Sequence, residues 1–156
     1  MDTIYNFTGL YRFLSNFYPV NVKGKLYPDI IFPSVEHGYQ AEKSNDFKVQ
    51  EYIARIDKPG IAKRWVSRNV KLSDDWGQYK FYVMKYYLRE KFSQEDLQDR
   101  LLKTGDAFFV EGNEWHDNIW GDCRCTICSD IEGRNELGRL LMIIRETLRK
   151  ENYGNL

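Results

Sequence analysis

The sequence predicts a mainly α-helical fold with a minor β component, and three observations carry that reading. Apolar residues recur at helical spacing through stretches that begin or end on capping residues. Extended signals are confined to two short places. The chain has 156 residues, 42% hydrophobic and 29% charged, which is enough apolar mass to close one core of ordinary size. No stretch rich in Pro, Gly or Ser divides it and no repeat appears, so one domain over residues 1–156 is expected.

Taken in order, Val20-Asn21-Val22, Lys23-Gly24-Lys25, Leu26-Tyr27 and Ile30-Ile31-Phe32 predict a small hairpin interrupted at Pro28-Asp29. Ser34 is placed to cap a helix running to about Ser44, with Glu36 in its first turn, where a carboxylate favours the positive end of the dipole. A second helix covers about Phe47 to Ile56 and stops at Lys58-Pro59-Gly60, and a short third carries Ile61 to Trp65. Asp74 or Asp75 caps a fourth, about residues 75 to 91. Its apolar residues fall in two stripes: Trp76, Tyr79, Val83, Tyr86 and Tyr87 on one side, Phe81, Met84 and Leu88 nearly opposite. A helix apolar on two sides packs on two sides, which puts it at the centre. Ser93-x-x-Asp96 resembles a capping box for a fifth helix bearing Leu97, Leu101 and Leu102, ended by Thr104-Gly105. A strand follows near 107–111, then an irregular, aromatic, cysteine-bearing stretch from Gly112 to Gly133. An amphipathic helix from about Asn135 to Lys150 closes the chain.

Lys and Arg total 23 and Asp and Glu total 23, so the formal charge is zero; this counts against a domain that tracks a phosphate backbone but leaves a small anionic ligand open. No apolar run approaches the roughly 20 residues that span a bilayer, and Met1-Asp2-Thr3-Ile4 opens no basic, apolar leader, so a cytoplasmic protein without a membrane is expected. Cys123, Cys125 and Cys128 form C-x-C-x-x-C, an odd number in one window, which suits a reducing compartment better than a disulfide framework.

Three constellations can carry chemistry. In a helix, Glu36, Gln40 and Lys43 fall within a narrow arc and place an acid, an amide and an amine on one face. Such a row can support a developing cation and present a nucleophile or an anion contact, although by spacing alone a solvated helix face is the commoner explanation. His37 lies off that stripe and suits a structural or hydrogen-bonding role better than catalysis. The segment holding Asp106, Glu111, Asn113, Trp115, His116, Asp117, Trp120, Gly121 and Asp122 offers carboxylates beside aromatic walls, as glycosyl transfer needs. It reads equally as a turn-rich connection whose Asp and Asn cap backbone groups. The thiol cluster supplies three ligands with His116 as a possible fourth, but without a second C-x-x-C pair free or packed thiols are expected and no metal. Gly133-x-Asn135-x-x-Gly138 admits either a phosphate or a close packing contact.

Phe13-Leu14-Ser15-Asn16-Phe17-Tyr18-Pro19, Ser34-Val35-Glu36-His37-x-Tyr39-Gln40-Ala41-x-Lys43, Ala62-Lys63, Trp76 with Met84, Trp120-Gly121, and Asn135-x-Leu137-Gly138-x-x-Leu141-Met142-x-x-Arg145 together resemble the NADAR, or YbiA-like, family. The blocks run in family order over about residues 7 to 149. The resemblance implies a YbiA-like helical fold and an N-glycosidase, a hydrolase that splits the bond between a ribose anomeric carbon and nitrogen, with no cofactor. It associates such proteins with removal of ADP-ribose from modified guanine in nucleic acid or from protein, or with phosphorylated ribosylamino-pyrimidines of riboflavin synthesis. Matched to the family motif, Glu36 and Lys43 are the expected catalytic pair and Trp76 and Trp120 the pocket aromatics. Ser15, Asn16, Lys63 and Asn135 are expected at the ligand with His37, Gln40 and Gly121, and Asp106, Glu111 and Asp122 are reserves for activating water. The cysteines between Gly121 and Asn135 depart from the glycine-rich linker of the YbiA branch, which weakens the riboflavin reading. Two other classes stand beside the enzyme: a module that binds ADP-ribose or a nucleotide without cutting it, and a zinc-stabilised adaptor built on His116, Cys123, Cys125 and Cys128.

Overall fold

The computed structural model describes residues 2–154, which fall into two compact units: Asn16–Gln94, and the segments before and after it. Helices dominate both, and every strand is two or three residues long.

In the unit Asn16–Gln94, β1 (Val22–Lys23) pairs antiparallel with β2 (Ile31–Phe32), with Val22 opposite Phe32 and Lys23 opposite Ile31, so the expected hairpin forms. Gly24 is needed in its turn, because a Cβ there would collide with the Tyr27 carbonyl. Helix α1 (Val35–Ala41) starts at Ser34, whose side chain accepts the His37 N–H. All seven of its residues are buried, since α2 (Phe47–Arg55), α3 (Pro59–Asn69) and α4 (Trp76–Phe92) all pack against it. α1 ends three residues earlier than expected: the Lys43 and Ser44 amides bond Gln40 and Ala41, three residues back, so the last turn tightens toward 3-10 geometry. α3 is longer than the apolar pattern showed. Pro59 starts it, Val66 extends its buried face one turn beyond Ala62, and the helix then runs on through the polar Ser67-Arg68-Asn69.

The two stripes expected on α4 are a single one. Trp76, Val83, Met84, Tyr87, Leu88, Lys91 and Phe92 are its buried residues, and at 100° per residue they cover about half the circumference, with Met84 and Lys91 near the middle. Tyr79 and Tyr86 flank that arc half-buried, and half-buried Phe81 falls within it between Leu88 and Phe92. Gly38 lets α4 approach α1, because a Cβ there would strike the Tyr87 ring.

In the other unit, β3 (Thr3–Tyr5) pairs parallel with β4 (Phe108–Val110), and β5 (Gly112–Asn113) pairs parallel with β6 (Asp122–Cys123). A 3-10 helix spans Gly9–Leu14. α5 (Glu95–Leu102) and α6 (Glu136–Tyr153) pack together, and α6 lies on β4. Gly138 makes that last contact possible: a Cβ would meet the Phe109 carbonyl, so this glycine serves packing. Buried Arg145 reaches from α6 to the Thr104 hydroxyl and the Ala107 carbonyl, both at 2.8 Å, with its guanidinium over the Phe109 ring. Among the described residues, no helix is long and apolar enough to cross a membrane.

Candidate functional site

Glu36, His37, Gln40, Lys43, Lys63, Trp76 and Asn16 belong to the unit Asn16–Gln94; Ser15, Asp106, Glu111, Trp120, Gly121, Asp122 and Asn135 belong to the other.

The α1 face is a buried polar surface. Glu36 is 6% exposed and Gln40 2%, where a solvated helix face would have been open to water. The Glu36 amide donates to the Asn16 carbonyl, and its carboxylate accepts the Gln40 side-chain N–H at 2.8 Å. Asn16 donates to the Met84 sulfur at 3.4 Å, while the side-chain oxygens of Asn16 and Gln40 are buried and accept no hydrogen bond. Buried acceptors are costly to leave without a donor. A carboxylate and two open carbonyl oxygens therefore suit a ligand rich in hydroxyl or N–H donors.

One turn on, half-buried Lys43 holds its ammonium 5.4 Å from the Tyr39 ring centre and 5.8 Å from that of Trp76, the geometry of cation–π contacts. Trp76 is held by Tyr39 at 5.4 Å and by Tyr79 at 6.2 Å. Burial lowers the Lys43 pKa below its ordinary value; the Glu36 charge works against that shift, and the Lys63 and Lys80 ammoniums add to it. Lys43 and Trp76 also line a cavity of about 820 Å³, together with Glu42, Asn69, Lys71 and Tyr79 among others. That volume lies within the range of small-ligand pockets.

His37 takes no open position. Its ring sits 2.6 Å from the Ser34 hydroxyl through Nδ1 and 2.7 Å from the Ile56 carbonyl through Nε2, and burial lowers its pKa. The carbonyl requires Nε2–H, so Nδ1 accepts from Ser34 and the neutral ring ties α1 to the end of α2.

In the other unit many of the expected side chains serve the backbone. Asn135, in left-handed conformation at φ +52°, accepts the Glu111 N–H and donates to the Phe109 carbonyl. Asp122 accepts the Gly133 N–H, Asp106 pairs with Arg149 while largely exposed, and the Ser15 amide closes the 3-10 helix on Arg12. Asp117 caps the amides of Ile119 and half-buried Trp120. Gly121 sits where a Cβ would strike the Glu111 carbonyl, and a Glu111 carboxylate oxygen is buried.

The sequence reading passed over Tyr39, Glu42 and Tyr79. Tyr39 was available as the residue one turn before Lys43, and Tyr79 as the one a turn after Trp76. Glu42 is buried and accepts the Tyr87 hydroxyl at 2.6 Å and the Leu26 N–H; burial pushes the Tyr87 pKa up and the Glu42 charge and hydrogen bond add to it. A carboxylate between two motif residues carries no signal of its own.

The fold and this face define a mainly α-helical protein with a buried acid and a half-buried amine joined to a nucleotide-sized cavity. The chain belongs to the NADAR domain family, whose model matches residues 5–149 and so spans both units. It is 39% identical to the N-glycosidase YbiA of Escherichia coli strain K12, over 94% of this chain and 89% of that protein. A riboflavin biosynthesis protein of Vibrio vulnificus is 40% identical over 92% of this chain, which spans only 37% of that longer protein. The solved NMR structure of Escherichia coli YbiA superposes with a TM-score of 0.79 at 34% identity, covering 98% of this chain and 89% of that one.

Proposed function

We propose that this protein is an N-glycosidase that hydrolyses the bond between a ribosyl anomeric carbon and nitrogen, acting on an ADP-ribosyl group attached to guanine in nucleic acid or to protein. The observation that carries the reading is the pairing of buried Glu36 on α1 with an amine in the turn that follows it, Lys43, whose proton affinity is lowered. Relatives named N-glycosidases over nearly the whole chain support the reaction class.

In this reading the nitrogen leaves with the bonding electron pair and takes up a proton, and positive charge develops on the ribose. Glu36 stabilises that charge. Neutral Lys43 attacks the anomeric carbon, the ring opens to an imine, and water then releases the sugar and restores the amine. The side-chain oxygens of Asn16 and Gln40 take ribose hydroxyls as donors, and Trp76 supplies an aromatic wall. Lys63 and Lys80, whose charges reach Lys43, provide the positive field that phosphates require.

A second reading, cleavage of a phosphorylated ribosylamino-pyrimidine, is favoured by the riboflavin names of the Vibrio relative and of a maize relative 32% identical to this chain. Incubation of the protein with an ADP-ribosylated guanine oligonucleotide, an ADP-ribosylated protein and the ribosylamino-pyrimidine, with release followed by mass spectrometry, separates the two. Release of ADP-ribose from one of the first two is expected. Turnover of the pyrimidine alone would replace the substrate, and tight ADP-ribose binding without release from any would make the protein a reader of that group.

A further inference from the structure

We propose that His116, Cys123, Cys125 and Cys128 bind one zinc ion in a closed, structural site. The inference stands independently of the glycosidase reading.

All four ligand atoms lie within 4.8 Å of one another. His116 Nδ1 is 3.3 Å from the Cys128 sulfur and 3.4 Å from that of Cys125. A tetrahedral ion with bonds of about 2.0 Å to nitrogen and about 2.3 Å to sulfur sets N···S at about 3.5 Å and S···S at about 3.8 Å, so the two N···S distances already match such a shell and the other pairs, none beyond 4.8 Å, need at most a small contraction.

The surroundings are built to hold thiolates. The His116 amide donates to Cys123 Sγ at 3.3 Å. The Ile127 and Cys128 amides both donate to Cys125 Sγ, and the Asn118 side chain bonds Cys128 while accepting the Cys123 N–H. Hydrogen bonds of this kind orient metal-bound sulfur and spread its charge. His116 itself is held at φ +68°, a left-handed conformation that is uncommon for a non-glycine residue and persists where neighbours enforce it. Asn113 does the enforcing: its side chain accepts the amides of Trp115 and Asp117 and donates to the Asp117 carbonyl, fixing the chain on both sides of His116.

Three thiolates and an imidazole are soft and borderline donors, a set that selects zinc over magnesium or calcium. Four protein ligands leave no position for water, so the ion is structural. On binding, the three thiols give up their protons to solvent, and His116 coordinates through Nδ1 as a neutral ring. Cys123, Cys125 and Cys128 are all free thiols rather than joined in a disulfide. The ion would tie His116 to Cys123 in β6 and to the turn holding Cys125 and Cys128, and so steady the intervening segment that bears Trp120 and Gly121.

The test uses the full-length protein purified under reducing conditions without chelator, with metal content measured by mass spectrometry and thiols counted by a chromogenic disulfide reagent. About one zinc per chain is expected, and Cys125→Ser and His116→Ala, both at positions not fully buried, should each weaken retention at least about tenfold while circular dichroism shows the helices intact. Cobalt exchanged into the wild type should give an intense thiolate charge-transfer band, which adventitious surface cobalt does not. Retention below about a tenth of an equivalent after zinc loading, with all three thiols freely titratable or two of them joined in a disulfide, would overturn the site.

Discussion

Two opposing fields set the state of the amine at Lys43. Burial and the ammoniums of Lys63 and Lys80 disfavour the proton, and Glu36 favours it. If the neutral amine is the nucleophile, kcat/KM rises with pH along a limb that lies below the ordinary lysine value, and relief of a repelling charge must move that limb upward. Lys80→Gln, outside the motif, is therefore expected to shift the limb to higher pH; a profile that does not move would show that Lys43 does not titrate in the reaction. At this scale much of the site could be read from the chain. Glu36 and Gln40, four apart, share a face of α1 because helical angle follows from sequence position alone, while Lys43 lies in the tightened turn beyond Ala41. What spacing does not encode is burial, and burial decided the matter: it turned an ordinary charged face into a polar site. The same holds for Asn16, whose partner Met84 is distant in sequence, and for His116, which was named as a fourth ligand but could be weighed only once the sulfurs had coordinates.

Among the elements, α1 is held by its cap and by its glycine. Gly38→Ala should gain about 1 kcal/mol in helix propensity. The added Cβ strikes the Tyr87 ring, and that ring cannot withdraw while its hydroxyl is bonded to Glu42 and to the Lys25 N–H. Overpacking of this sort costs about 1–3 kcal/mol, so a lower melting temperature is expected, by about 2–4 °C for each kcal/mol of net loss. An unchanged or raised value would mean that α1 and α4 are less tightly joined than described. The helices were legible because caps, terminators and apolar period agree; the errors lay at ends, where α1 tightens and α3 runs on along a polar stretch. β3 was not legible: it is three residues long and its only partner register, Thr3 with Phe108, joins opposite parts of the chain. The parallel pair β5 and β6 hides in turn-like sequence for the same reason, since two-residue strands have no period to detect.

For the molecule as a whole, balanced charge and the absence of a phosphate-tracking surplus fit an enzyme that recognises a small anionic group rather than a long backbone. The family match spans both units, yet the acid and the amine lie in one of them and the thiol cluster in the other. The measurement that tests the account most directly is incubation of the wild type, Lys43→Ala and Glu36→Ala with an ADP-ribosylated guanine oligonucleotide, with and without borohydride, read by mass spectrometry. The account predicts release by the wild type, at least about a hundredfold slower release by either variant, and a reduced adduct on Lys43 when borohydride is present. Release by Lys43→Ala at the wild-type rate would contradict it.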